Sequence, residues 1–238
     1  MRTIFCYDNL SFHLSKSGDK KYHTSKVWHT LETMHYVKHL SKDKHLKELI
    51  KRHGTFELKK QKNLCLYLCY SIMSQQLSTK VAKVIRQRFI DLYGGEPTPQ
   101  QIVDTPFEKL RAIGLSNAKV NYVQNVARFE LEKGMDHKKL AKMSNEEIIA
   151  YLTQIKGVGR WTTEMLLMFG LGREDLFALD DLGLQNAVIG LYDLKHRKKK
   201  TLHAAILKIA EQWTPYRTYA CMYLWRWKDN PPIEKTVR

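Results

Sequence analysis

The sequence predicts an all-α protein. Beyond about residue 33, apolar residues recur at helical spacing, and no strictly alternating strand pattern appears. Helix start and stop signals return at helix-like intervals. A chain of 238 residues can bury a core in one large domain or in two small lobes without disulfides.

Several helix boundaries can be assigned from local signals. An apolar stripe ends at Gly54, a C-terminal cap, and a short amphipathic helix is expected after it. Polar residues 74–78 interrupt a dense apolar run, which predicts a break between two helices. The expected N-terminal caps and capping boxes are Thr105-Pro106-Phe107-Glu108, Ser116 and Ser144-Asn145-Glu146-Glu147, with a last helix beginning at Thr214-Pro215.

The chain is strongly basic, with 40 Lys+Arg against 24 Asp+Glu and a formal net charge of +16. This charge favours nucleic acid as partner, although proteins that bind membrane surfaces share such a composition. No apolar run is long enough to span a bilayer, and residues 1–7 lack a signal-peptide core. We therefore expect a soluble, cytoplasmic protein with no membrane partner, associated with the nucleoid if bacterial.

The four cysteines do not indicate a metal site or a disulfide framework. They are scattered, and Cys65 and Cys69 lie one helical turn apart in an apolar stretch. Buried reduced thiols are the simpler interpretation. Residues 1–33 are polar and without periodicity, so we treat them as an N-terminal extension.

A glycine-rich turn lies between two predicted helices, at Gly157, Val158, Gly159 and Arg160. Backbone N–H groups of such a turn, next to a helix N-terminus, can hold a phosphate oxygen without contacting a base. An ordinary tight helical hairpin could use the same residues.

The sequence downstream makes the pattern more specific. A helix-hairpin-helix followed by the loop Phe177-Ala178-Leu179-Asp180-Asp181-Leu182-Gly183-Leu184 resembles the helix-hairpin-helix, Gly/Pro-rich, Asp (HhH-GPD) superfamily of base-excision glycosylases. Within it, the chain is similar to the 3-methyladenine DNA glycosylase II family. Residues 71–78, 110–116 and 213–220 also resemble family segments, so the likeness covers about residues 40–228. One departure is that Leu179 stands in a loop without the proline common in the family.

The resemblance implies two helical lobes around a cleft that holds a flipped base. The expected boundaries are 34–64 plus 175–238 for a terminal lobe and 65–174 for a central lobe, with the hairpin at about 145–171. Asp181 would lie at the mouth of the cleft.

The resemblance places the catalytic carboxylate at Asp181, which is also expected to begin a helix through Leu184 and Val188. There the helix dipole and free N–H groups favour the ionised form. Such a carboxylate can stabilise an oxocarbenium-like sugar and orient a water towards C1′. An N-cap with no further role is the alternative, and Asp180 is the competing carboxylate.

Simple hydrolysis is expected because related lyases carry a lysine nucleophile at the start of the second hairpin helix, where this chain has Trp161. The resemblance implies no organic cofactor and no metal centre. A monovalent cation bound by hairpin carbonyls remains possible.

The base pocket is assigned to Trp161, Met165, Trp213 and Tyr216. The indole of Trp161 can stack on a cationic alkylated purine, although it could equally be a core tryptophan. Trp213 and Tyr216 could instead pack the last helix. The resemblance places at Gln75-Gln76-Leu77 the wedge that fills the gap left by the flipped base, and we expect Gln76 to be that wedge. The alternative is that Gln75 and Gln76 cap backbone groups.

The sequence therefore predicts a monomeric DNA repair glycosylase acting on double-stranded DNA, which flips damaged, alkylated purines and leaves an abasic site. A bifunctional glycosylase/lyase on oxidised bases and a non-catalytic helix-hairpin-helix DNA-binding module stay open. A helix-turn-helix regulator is disfavoured because the hairpin is glycine-rich and no dimer-forming segment is evident. The preferred lesion is left open.

Overall fold

A computed structural model describes residues 35–194 and 199–229, and every regular element within them is helical. The predicted all-α class is therefore confirmed for these residues, whereas the N-terminal extension predicted for residues 1–33 lies outside them. The helices are residues 35–40 (α1), Lys44–His53 (α2), Leu64–Ser74 (α3), Thr79–Tyr93 (α4), Pro99–Asp104 (α5), Phe107–Ala112 (α6), Asn117–Lys133 (α7), His137–Leu140 (α8), Asn145–Leu152 (α9), Arg160–Met165 (α10), Leu182–Leu191 (α11), Lys199–Glu211 (α12) and Arg217–Asp229 (α13), with a π-helical turn at Leu166–Gly170.

The chain divides into two compact units. The central unit is Lys59–Gly172, and the terminal unit combines the described residues of Leu10–Leu58 and Arg173–Arg238. In the central unit α7 packs on both α3 and α5, and in the terminal unit α13 packs on α2 and α11. Each unit has its own apolar core, which includes Leu68 and Val123 in the first and Leu46 and Tyr223 in the second.

Most of the predicted helix caps and breaks are present in the structure. Gly54 ends α2 with a positive φ of 72°, and its N–H donates to Ile50 O. The Ser116 hydroxyl caps α7, and Ser144 forms a reciprocal capping box with Glu147 at the start of α9. The break at residues 74–78 is present between α3 and α4.

Three local predictions are wrong. Thr105 does not cap α6, which has Pro106 at its N-cap and no side-chain cap. The Thr105 hydroxyl instead donates to Gln101 O at 2.6 Å, and the capping box is one helix earlier, between Thr98 and Gln101. Residues 54–60 form no helix, and the last helix begins at Arg217, not at Thr214-Pro215.

The predicted buried thiols are found at Cys65 and Cys69, which lie in the core of the central unit. The Cys69 thiol donates to Val123 O at 3.9 Å. Burial and the hydrogen bond with Cys65 hold the pKa of Cys69 well above its ordinary value. These cysteines therefore act as apolar packing groups between α3 and α7.

Candidate functional site

Asp181 is a buried carboxylate at the N-cap of α11, only 3% exposed. Its Oδ1 accepts a hydrogen bond from the Leu184 N–H at 2.8 Å and another from Trp225 Nε1 at 3.2 Å. The predicted helix start at Asp181 is confirmed. The carboxylate is fixed in place by a helix end and by an indole.

The two neighbouring aspartates differ in environment. Asp180 is exposed, whereas Asp181 is buried and hydrogen-bonded. A buried, oriented carboxylate has a weaker interaction with bulk water and a fixed direction. Asp181 is therefore the better placed of the pair to act on a bound molecule.

The loop before Asp181 is ordered without the family's proline. Leu179 N–H donates to Phe177 O at 3.0 Å, and Asp181 N–H donates to Ala178 O at 3.0 Å. The Gln185 side chain reaches back from α11 to donate to Leu179 O at 2.8 Å. Consecutive turns and this side-chain bond supply the rigidity that a proline would give.

Gly183 leaves room beside the carboxylate. A Cβ built on Gly183 would lie 2.8 Å from Asp181 Oδ1 and 3.0 Å from Lys228 Nζ. Lys228 Nζ and Asp181 Oδ1 therefore both border the small space next to the Gly183 Cα. A larger side chain at position 183 would fill that space. Glycine is required here for space and not for backbone conformation.

The segment 213–220 anchors the start of the same loop. Arg217 forms a two-pronged ion pair with Asp175, with Nε–Oδ1 at 2.6 Å and Nη2–Oδ2 at 2.9 Å. The Thr218 hydroxyl donates to Arg173 O at 2.6 Å and accepts from the Leu176 N–H at 3.2 Å. Segment 213–220, which resembles a family segment, thus contains residues that fix the loop leading to Asp181.

The hairpin turn is built as predicted, although α9 ends at Leu152, before Gly157. Gly157 has a φ of 106°, and the Val158 N–H donates to Ile155 O at 2.9 Å. Val158 is buried, which pins the turn to the core. Gly159 is the N-cap of α10 and offers no side-chain cap, so the first N–H groups of that helix receive no side-chain acceptor from this residue.

Helix α7 packs against the hairpin turn. A Cβ on Gly157 would lie 2.2 Å from Cγ of the Tyr122 ring, and Asn125 Nδ2 donates to Lys156 O at 3.2 Å. The close approach of Tyr122 and the positive φ both require glycine at position 157. Packing against Tyr122 fixes the position of the turn on the central unit.

Arg160 is already engaged with two carboxylates. Its Nη2 lies 2.7 Å from Glu146 Oε1, and its Nε lies 3.1 Å from Glu164 Oε1. These partners raise the pKa of Arg160 above its ordinary value. The Arg160 guanidinium donates to both Glu146 carboxylate oxygens, at 3.1 Å and 2.7 Å. Because Glu146 is largely exposed, a phosphate could replace it without leaving a buried charge unpaired.

The four predicted pocket residues have different environments. In the central unit, Trp161 is half-buried on α10 and Met165 is buried. In the terminal unit, Trp213 is 1% exposed, and its indole N–H donates to Asp43 Oδ2 at 3.3 Å. Its ring also contacts Phe177 and Tyr192, which supports the packing interpretation of Trp213.

Tyr216 is half-buried in a cluster of rings. It lies edge-on to Tyr219 with ring centroids 6.3 Å apart and edge-on to His39 at 5.5 Å. A half-buried phenol can combine such packing with an exposed edge.

The loop between α3 and α4 carries the predicted wedge. Gln76 is exposed and has a φ of 60°, an uncommon conformation for a residue other than glycine. Gln75 and Leu77 on either side are half-buried. The loop therefore presents one amide side chain to the surface between two anchored neighbours.

Sequence reasoning missed Trp225, which is separated from Asp181 by 44 positions. A buried indole must find an acceptor for its N–H, so an unassigned tryptophan in an apolar helix is a signal that such a partner exists. The partner itself depends on how α13 packs on α11.

In the part of the chain that the structure describes, no group of three His, Cys, Asp or Glu side chains could hold a metal ion. None of the helices described there combines the length and apolarity that crossing a bilayer requires.

The chain matches a known protein family. A family model described as "HhH-GPD superfamily base excision DNA repair protein" matches residues 69–212, which include the loop at Gln76, the hairpin and Asp181. The chain belongs to the HhH-GPD superfamily of base excision DNA repair proteins.

Similar proteins include several that are named DNA-3-methyladenine glycosylases. DNA-3-methyladenine glycosylase 1 of Schizosaccharomyces pombe is 38% identical over 82% of this chain and 87% of its own length. A putative DNA-3-methyladenine glycosylase of Bacillus subtilis is 34% identical over 68% of this chain and 57% of its own length. The solved structure of the S. pombe 3-methyladenine DNA glycosylase in complex with abasic DNA is 36% identical, with a TM-score of 0.72 over 82% of this chain and 97% of that chain.

Proposed function

We propose that this chain is a DNA glycosylase that hydrolyses the N-glycosidic bond of alkylated purines in duplex DNA and leaves an abasic site. The observation that carries the proposal is the buried carboxylate of Asp181, held at a helix N-cap by Leu184 and Trp225. The names of the relatives, DNA-3-methyladenine glycosylases, support the alkylated-purine class.

The chemistry follows from the charge on Asp181. As the base departs, the sugar acquires oxocarbenium character, and a fixed carboxylate stabilises that positive charge. The same group orients a water towards C1′ and accepts its proton. Because an alkylated purine is cationic, it leaves readily, and no strong general acid is needed.

Hydrolysis is favoured over strand cleavage because Trp161 occupies the position at which related lyases carry a lysine. An indole cannot form the Schiff base that β-elimination requires. The expected products are a free base and an intact backbone with an abasic site.

DNA binding is assigned to two features of the central unit. The N–H groups of Gly157 and Gly159, with the Arg160 guanidinium, would hold a backbone phosphate. Val158 is not available for this role, contrary to the prediction from the sequence, because its N–H donates to Ile155 O within the turn. Gln76 would fill the space vacated by the flipped nucleotide. Trp161 would stack on the cationic base, with Met165 beneath it.

The first test is release of free bases from methylated duplex DNA at low salt by wild type and by Asp181→Asn. The asparagine keeps the N-cap oxygen, so fold and DNA binding should persist while release falls by at least about 100-fold. Asp180→Asn is the matched control and should release bases like wild type.

Each outcome of this test has a separate meaning. Equal release by wild type and Asp181→Asn would contradict the assignment of Asp181. DNA binding without release by wild type, on methylated and deaminated substrates, would favour the non-catalytic binding module instead.

The protein is proposed to act as a monomer on DNA, without an organic cofactor. Binding of a monovalent cation by the hairpin carbonyls stays a prediction. The carbonyl oxygen of Ile155 accepts a hydrogen bond from the Val158 N–H, and that of Lys156 accepts one from Asn125 Nδ2. Each carbonyl oxygen has a second lone pair that could bind a cation. Binding of duplex DNA measured in K⁺ and in a quaternary ammonium salt at equal ionic strength tests it.

A further inference from the structure

One face of α7 contacts both DNA-binding features assigned to the central unit. Lys119, Tyr122 and Asn125 are spaced three residues apart along this helix, and such positions lie close to one face. Tyr122 and Asn125 contact the hairpin turn at Gly157 and Lys156. Lys119 contacts the other feature, the loop that carries Gln76.

The Lys119 ammonium caps the C-terminus of α3. Its Nζ donates to Met73 O and to Gln75 O, each at 2.8 Å. Carbonyl groups in the last turn of a helix lack intrahelical partners and carry partial negative charge. One cation therefore satisfies two of the three carbonyls that precede Gln76, those of Met73 and Gln75.

This lysine is not a solvated surface residue. Its side chain is half-buried, and burial lowers the pKa of Lys119 below its ordinary value. The backbone at Lys119 is also fixed, because its N–H donates to the capping hydroxyl of Ser116 at 3.3 Å.

Gln76 needs such support because its backbone is strained. A left-handed φ of 60° is unfavourable for a residue with a Cβ. Anchors on either side hold it: the carbonyl of Gln75 is bound by Lys119, and the Leu77 N–H donates to Ser74 O at 3.2 Å.

A second contact ties the loop to the hairpin helix. The Gln75 side chain donates to the Thr162 hydroxyl at 3.4 Å, and Thr162 is buried on α10. Gln75 is thus held through its carbonyl by α7 and through its amide by α10.

We propose that Lys119 is a positioning residue for base flipping, which holds the backbone of residues 75–77 so that Gln76 is presented in the conformation that enters the duplex. Helix α7 then links the phosphate-binding turn to the wedge. This inference rests on the proposed function, since it takes Gln76 as the wedge.

The first readout is base unstacking, which does not require catalysis. The Asp181→Asn variant, which should bind DNA without releasing a base, would be mixed with duplexes that carry 2-aminopurine beside a methylated purine. The rise in 2-aminopurine fluorescence on binding would report flipping of the neighbouring base. Adding Lys119→Met should reduce that rise by about half or more at saturating protein, whereas adding Lys142→Met, which removes an exposed lysine of the same unit, should leave it unchanged.

The second readout is a double-mutant cycle on the single-turnover rate of base release. Lys119→Met should slow release by about tenfold, consistent with loss of about 1.4 kcal/mol. In a Gln76→Ala background the same substitution should slow release by less than about twofold, because it acts through Gln76. Lys119→Arg, which can also donate to two carbonyls, should stay within about threefold of wild type.

The proposal would be overturned if Lys119→Met slowed base release by the same factor in the Gln76→Ala background as in wild type. It would also be overturned if Lys119→Met left the fluorescence rise unchanged. If Lys119→Met melts well below wild type, Lys119→Gln, which keeps two N–H donors, takes its place in the same cycle. Failure of the proposed function would look different: wild type would release no base, while the fluorescence readout would still report on Lys119.

Discussion

Trp225 Nε1 donates a hydrogen bond to the same oxygen of Asp181, Oδ1, that accepts the N–H of Leu184. Two donors from different helices, α13 and α11, therefore converge on one carboxylate oxygen. Such a pair of contacts fixes the orientation of the carboxylate. The carboxylate is oriented before any substrate binds, which is the condition under which electrostatic stabilisation is most effective.

Trp225→Phe removes one of these donors while keeping an aromatic ring in the core. We expect base release under single-turnover conditions to slow by about tenfold, the effect of losing one hydrogen bond to a charged group. DNA binding should change by less than about twofold. Trp227→Phe, on the same helix, is the control, and equal slowing by the two variants would argue for a packing effect.

Gly183→Ala tests the space beside the carboxylate. The new Cβ would lie 2.8 Å from Asp181 Oδ1 and 3.0 Å from Lys228 Nζ, so the carboxylate must move. Alanine is otherwise acceptable within a helix, and the melting temperature should change little. Base release should fall by at least about tenfold, whereas Asn186→Ala, an exposed substitution on the same helix, should have no effect. Unchanged release by Gly183→Ala would show that Asp181 tolerates displacement.

Two glycines of the hairpin should respond differently to alanine. Gly157→Ala places a Cβ 2.2 Å from the Tyr122 ring at a φ of 106°, so it should destabilise the fold by about 1–3 kcal/mol and weaken DNA binding. Gly159 has a φ of −94° and open space around its Cα, so Gly159→Ala should change stability by less than about 1 kcal/mol. Thermal melting and fluorescence anisotropy with duplex DNA measure both effects, and equal stability of the two variants would contradict the role of Tyr122.

The comparison of Gly157 with Asp181 shows what a sequence can predict. The caps at Ser116, Ser144 and Asp181 were predictable because an N-cap is a contact between neighbours in the chain. Gly157 was predictable as a turn residue, but its main physical requirement, the ring of Tyr122, was not. In the structure the atoms nearest to a Cβ at Gly157 belong to Tyr122 of α7.

Contacts between residues far apart in the chain explain the remaining differences between the sequence predictions and the structure. The bonds of Trp225 to Asp181 and of Lys119 to Met73 join residues 44 and 46 positions apart, and no periodicity specifies such pairs. Local composition also gave a wrong boundary at Thr105, because its hydroxyl is used by the preceding helix at Gln101 O. Residue types therefore indicated the candidate site, while the packing of α7 and α13 determined which neighbours support it.

Alanine substitutions of the two predicted pocket tryptophans should affect different properties, the stability of the fold for Trp213 and base release for Trp161. Trp213 is buried with its indole N–H bonded to Asp43, so Trp213→Ala should lower the free energy of unfolding by about 3–5 kcal/mol. Trp161 is half-buried, so Trp161→Ala should cost much less stability. If Trp161 stacks on a cationic base, release of 7-methylguanine should slow by about tenfold in Trp161→Ala, and release of neutral hypoxanthine should slow less. Chemical denaturation and single-turnover release on the two lesions provide the measurements; equal slowing on both lesions would indicate that Trp161 contributes shape without a cation–π interaction.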